Sequence, residues 1–204
     1  MVIVNTNTLF NQLKQQIQSK PFVLLQMYSD VKAHPQENRV SCYYVDFQDE
    51  QYIVPIHHTE KYQDDFEIIE TDQTIFVQDL KQYKHNTLVI SKDIRDMNWA
   101  YYLQHNKSYE SEQHLTSAHL HHNRLHYNKQ NINDLIPLVK HAEYFESISK
   151  QLYDSYQEQD QTLLENLYKI ERNGLKTYEK IIYSEYNPYT STGRPSNRFG
   201  GLNF

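Results

Sequence analysis

The sequence predicts an α/β fold: a strand-rich layer with interleaved helices, followed by a run of helices. Three features of the 204 residues carry this expectation. Short β-branched and aromatic runs of strand length crowd the front of the chain. Helical periodicity appears between them. From Ser111 to Arg172 that periodicity continues almost without a break.

Leu9, Leu13 and Ile17 recur at i, i+4 and i+8, so residues 8–18 are expected to form an amphipathic helix capped by Thr6 or Thr8 and stopped by Pro21. Phe22–Met27 (FVLLQM) is a short apolar run and reads as a buried strand. Ala33–Arg39 is a polar loop. Val40–Phe47 and Gln51–Ile56 are strands joined through the turn Gln48-Asp49-Glu50, giving a hairpin. Residues 72–83 read as a helix capped by Asp72, Thr87–Ile90 as a fourth strand, and 93–104 as a helix carrying Ile94, Met97, Tyr101 and Tyr102. Helices are expected over 111–122, 131–156 and 160–172. The last presents Leu163, Leu164, Leu167 and Ile170 and ends at Asn173-Gly174, a pair able to adopt the left-handed conformation.

Composition excludes several classes. Apolar residues make up 38% of the chain and charged residues 23%, which is not a disordered composition. The formal charge of −6 argues against a uniformly basic coat for nucleic acid. No apolar run approaches the roughly 18–20 residues of a membrane-spanning helix, and the N-terminus lacks a charged-then-apolar leader pattern. One cysteine, Cys42, leaves no internal disulfide framework or Cys-rich zinc module, and in a strand it is expected to fill the core. A cytoplasmic protein without a membrane partner is the expectation.

Charge and glycine are unevenly placed. All four glycines (Gly174, Gly193, Gly200 and Gly201) lie towards the C-terminus. From Arg172 onward there are five basic residues and two acidic ones, net +3, on a body of net −9. Glycine allows close backbone approach, so contact with an anion is expected to concentrate in this tail.

The tail also contains two linked motifs. Leu163-Leu164, Leu167 and Ile170 lead into Glu171-Arg172-Asn173-Gly174-Leu175, and Thr190-Ser191-Thr192-Gly193-Arg194-Pro195-Ser196-Asn197 follows. Together, over about 40 residues, these resemble family-A DNA polymerases, particularly the shorter phage-type ones. The resemblance implies a ribonuclease H-like exonuclease domain, a mixed sheet flanked by helices, over about residues 1–155. A helix leading into the polymerase region (156–180) and the start of the palm (181–204) would follow. It also implies that the polymerase carboxylates, their two Mg²⁺ ions and the helix that binds the incoming dNTP lie after Phe204. On that basis this chain is an N-terminal fragment that does not polymerise alone and that works with the remaining polymerase part. Only 15 residues separate Gly174 from Thr190, where larger members carry a long helical thumb.

By the same resemblance, Arg194 reaches the primer terminus, and its planar charged fork suits phosphate, sugar and base edge alike. Gly193 lets the backbone approach the duplex. Thr190, Thr192, Ser196, Asn197 and Arg198 are phosphate contacts that position rather than read sequence. Asn203 faces template or primer bases. Pro195 departs from the usual leucine or methionine and restricts Arg194 to extended conformations. Tyr183, Tyr186 and Tyr189, beside this basic tail, are candidates for base stacking. Tyr43, Tyr44, Tyr52, Tyr101 and Tyr102 are expected in the core.

The exonuclease carboxylates are not in place. Where the family carries Asp-x-Glu on the first strand, this chain has Gln26-Met27-Tyr28, with Asp30 two residues on. Neutral side chains do not satisfy hard divalent cations. Asp96 is the candidate for the second motif. The third position, near Leu138–Ala142, has no carboxylate, and the spaced pair Tyr156 and Asp160 falls too close to Glu171. The expectation is an inactive exonuclease domain acting as scaffold. The alternatives are a stand-alone DNA-binding or processivity module on an inert nuclease fold, and a live 3′–5′ exonuclease with an unusual carboxylate set. Among His114, His119, His121, His122 and His126, the residues His119, His122 and His126 share a helix face at i, i+3 and i+7, but no HExxH accompanies them, so the cluster reads as a solvated polar face in preference to a metal site, and His57-His58 as surface residues.

Overall fold

The computed structural model describes residues 1–28, 36, 39–58, 67–105, 158–190, 192 and 195–197. A six-stranded mixed sheet forms its centre. Its longest strands are β2 (Phe22–Tyr28), β3 (Val40–Asp46) and β4 (Gln51–Pro55). Strand β2 runs antiparallel to β3, and β3 antiparallel to β4 with Asp46 opposite Gln51. The connecting turn closes with the Phe47 amide donating to the Glu50 carbonyl (3.0 Å), and Gln48 takes φ +77°. The hairpin expected from sequence is therefore present. Strand β1 (Val2–Ile3) adds a parallel edge beside β4.

On the other side of β2 the sheet turns parallel. Strand β6 (Ile75–Val77) pairs with β2, and β8 (Ile94–Asp96) pairs with β6. The complete order is β1-β4-β3-β2-β6-β8. A separate parallel pair joins β5 (Ile69–Glu70) to β7 (Val89–Ile90). Every residue of β3 is buried, so both faces of the sheet are covered at its middle. Tyr43, Tyr44 and Tyr52 belong to this core with Cys42 and Leu24.

Helix α1 (Asn7–Ser19) is capped by the Thr6 hydroxyl, which accepts from the Leu9 amide. It buries Phe10, Leu13 and Ile17, while Leu9 lies at the edge of that face. Helix α2 (Leu80–His85) is capped by Asp79, α3 spans Met97–His105, and α4 spans Glu158–Asn173. Leu164 and Leu167 of α4 are buried, whereas Leu163 and Ile170 are exposed. No helix among the described residues is long and apolar enough to cross a membrane.

Four expectations need correction. Residues 72–83 are not one helix: Ile75–Val77 is a strand and the helix begins only at Leu80. Three consecutive apolar residues, all buried, suit a parallel strand with both faces covered better than one face of a helix. Ile94 likewise belongs to β8, not to the helix that follows. Strand β7 exists, but it pairs with β5 outside the main sheet. His58 is buried and not a surface residue. The helices expected over 111–122 and 131–156 lie outside the described residues, as do the five clustered histidines.

Candidate nucleic-acid interface

The tail is built outward from the end of α4. Gly174 stops the helix with φ +61°, and its amide donates to the Ile170 carbonyl (3.0 Å). A Cβ at this position would stand 2.6 Å from Ile181 Cγ2 and 2.8 Å from the Ile182 carbonyl oxygen. Both the backbone angle and the crowding require glycine here. The chain reverses through β9 (Leu175–Lys176) against β10 (Ile181–Ile182), then forms a second antiparallel pair, β11 (Tyr186–Asn187) with β12 (Ser196–Asn197). Between the two strands the described residues are Pro188, Tyr189, Thr190, Thr192 and Pro195.

Two contacts hold this tail to the α/β layer. The first is electrostatic. Lys81 of α2 places its Nζ 2.6 Å from Glu171 Oε1 and 2.6 Å from the Tyr186 carbonyl oxygen. Glu171 Oε1 also accepts from the Tyr186 amide at 2.7 Å. The Lys81 and Glu171 side chains are 2% and 1% exposed. His85 Nε2 lies 3.5 Å from Glu171 Oε2, and Lys84 pairs with Glu165 at 2.7 Å. Burial works to lower the Lys81 ammonium, but the charges of Asp79, Glu171 and Glu185 outweigh it and hold it above its ordinary value. Burial works to raise the Glu171 carboxyl, but His85, Lys81 and the Tyr186 amide hold it below the ordinary value.

The second contact is aromatic. Tyr189 packs on Trp99 and Tyr102 of α3, with ring centroids 6.2 and 6.0 Å apart, while Trp99 and Tyr102 are 5.1 Å apart. The Tyr102 hydroxyl donates to the Thr190 carbonyl at 2.6 Å. Tyr189 is thus committed to packing and is not a free stacking platform. Tyr183 and Tyr186 are half-buried.

Of the residues singled out from sequence, Thr192 and Ser196 are exposed. Thr190 is fixed through its backbone on Tyr102. Asn197 pairs with Tyr186 in the ladder and donates to the Ser184 hydroxyl (3.5 Å). These four share the second hairpin. Gly193, Arg194, Arg198 and Asn203 lie outside the described residues.

The nuclease-motif positions have other occupations. Gln26 donates its amide to the Tyr83 and Asn86 carbonyls at the C-terminal end of α2, and the Tyr43 hydroxyl also donates to the Asn86 carbonyl (2.7 Å). Asp96 is fully buried, and its two oxygens accept from the Leu80 and Trp99 amides at 2.8 and 2.9 Å. It therefore serves the N-terminal ends of two helices at once. Burial, reinforced by the Asp79 charge, pushes its carboxyl well above the ordinary value, against those two donors and Lys81. A neutral glutamine and a carboxylate with both oxygens occupied do not fit a two-metal nuclease centre. Among the described residues no group of three His, Cys, Asp or Glu side chains converges as a metal site.

Sequence reasoning marked Glu171 as part of a motif but missed its partner Lys81. The two are 90 positions apart, and Lys81 sits in an ordinary-looking helical stretch, LKQYKH. Compared with known proteins, the chain matches no family model and no curated protein.

Proposed function

We propose that this chain is the N-terminal part of a phage-type family-A DNA polymerase, a nuclease-type scaffold that no longer cuts and whose tail holds primer-template DNA. The observation that carries the reading is one sheet order joined to one tail. In β4-β3-β2-β6-β8 the first long strand, β2, is central; on one side β3 alone runs against it and β4 returns parallel to it, and on the other side β6 and β8 are both parallel, which resembles a ribonuclease H-like sheet. Behind it, the Glu-Arg-Asn-Gly helix end is anchored on the body, and the Thr-Ser-Thr-Gly-Arg motif lies in sequence between the paired strands β11 and β12. In this reading nucleotidyl transfer with Mg²⁺ belongs to residues that the resemblance places after Phe204. The chain contributes grip and orientation. Arg194 is the principal contact, and Gly193, Thr190, Thr192, Ser196, Asn197, Arg198 and Asn203 are further contacts.

The donor set favours an inert nuclease site, because Gln26 and Asp96 are both spent on helix ends. A primer-template carrying a photoreactive thymine at the primer 3′ end tests the reading. Crosslinks should fall within residues 190–204, and Arg194→Ala should weaken binding to the recessed end by about tenfold. Equal affinity for blunt and recessed duplex, with crosslinks elsewhere, would contradict it. Single-stranded DNA incubated with Mg²⁺ or Mn²⁺ should keep its 3′ end. Trimming that Asp96→Asn abolishes would overturn the inert site.

A further inference from the structure

We propose that the β9–β10 hairpin is a second nucleic-acid contact, in which Tyr178 stacks on an unpaired base while Arg172, Lys176 and Lys180 hold the neighbouring phosphates. Tyr178 is fully exposed at the tip of this hairpin. The turn that presents it is knotted by one side chain. The Thr177 amide and hydroxyl both donate to the Lys180 carbonyl (2.8 and 2.7 Å), and the Thr177 hydroxyl accepts from the Lys180 amide at 3.1 Å. Underneath, the hairpin is pressed onto the end of α4 over Gly174. The ring therefore stands on a rigid support, which lowers the ordering cost of stacking.

The charge around the tip fits a polyanion. Lys176 and Lys180 flank Tyr178 and are exposed, and Arg172 is exposed in the last turn of α4 with its guanidinium donating to the Tyr168 hydroxyl at 2.6 Å. Glu179 is the one carboxylate between Arg172 and Tyr183, while the body as a whole is acidic. Cations flanking an exposed aromatic ring match a single strand, whose phosphates are neutralised while a base takes the ring face. The inference rests on the polymerase reading and deepens it, because it adds a single-stranded contact to the tail that this reading assigns to DNA.

Fluorescence anisotropy with a labelled thymidine oligonucleotide, over a range of salt concentrations, tests it. Tyr178→Ala should weaken binding about tenfold with the salt slope unchanged, and Tyr178→Phe should bind like the parent protein. Lys176→Gln combined with Lys180→Gln should flatten the slope of log affinity against log salt by about 1.4. On an abasic oligonucleotide the Tyr178→Ala effect should vanish. Parent-like binding by both the Tyr178→Ala and the double-lysine protein overturns the inference. So does failure of the parent protein to bind, or equal competition by phosphatidylserine vesicles. Loss of primer-end preference in Arg194→Ala with silent hairpin variants removes this inference alone. Hairpin effects without primer-end preference remove the polymerase reading alone.

Discussion

Lys81 in the first turn of α2 and Glu171 in the last turn of α4 form an ion pair buried on both sides, with Nζ 2.6 Å from Oε1. The same carboxylate accepts the Tyr186 amide, and the same ammonium donates to the Tyr186 carbonyl. Two side chains thus fix helix, tail strand and α/β layer together. Because each charge is desolvated, the pair matters chiefly through what happens when it is broken. Lys81→Met should cost about 3–5 kcal/mol in urea unfolding. Adding Glu171→Leu should recover a large part of that, because the Glu171 carboxylate is then no longer left buried without its ammonium partner. A double-mutant cycle showing simple additivity would refute the coupling.

The pH dependence follows from the same carboxylate. Glu171 is held below 4.5 in the folded protein, so its contribution to stability is complete above about pH 4.5. It is lost as the pH falls through the lowered folded value. Glu171→Gln should therefore show a shallower loss of stability below pH 4.5 than the parent, measured by urea midpoints across pH.

Gly174→Ala should destabilise by about 1–3 kcal/mol through its positive φ alone. The contact with the Ile182 carbonyl oxygen adds to this, because backbone cannot move aside as a side chain can. An unchanged urea midpoint would show that the turn can adopt another conformation.

Trp99 is the single tryptophan and touches Tyr189 of the tail, so its fluorescence reports docking. Tyr102→Phe removes the hydroxyl that donates to the Thr190 carbonyl and should weaken docking by about 0.5–1.5 kcal/mol. The expected readout is a Trp99 transition at lower urea than the loss of helix signal, with faster proteolysis within residues 188–197. Coincident transitions identical to those of the parent would contradict it.

Asp96→Ala should cost about 1–4 kcal/mol, since it strips an acceptor from two helix starts. Asp96→Asn keeps one acceptor and should cost less. Thermal unfolding of the two variants separates a capping role from any metal-dependent one, because chelator should leave the ranking unchanged.

Local chemistry was enough to place α1, the β3–β4 hairpin and the stop at Gly174. Each depends on neighbours a few positions away: Thr6 on Leu9, Phe47 on Glu50, Gly174 on Ile170. The sequence by itself also determined the uneven charge, net positive from Arg172 onward and net negative before it. Tertiary structure alone decided that Ile75–Val77 and Ile94–Asp96 are strands, because their partners are each other and β2, far away along the chain. It also decided that Asp96 and Gln26 serve helix ends, that Tyr189 packs and Tyr178 does not, and that Glu171 meets Lys81. A residue's type states what it can bond. Burial and distance decide which partner it finds, and both come into being only when distant segments pack.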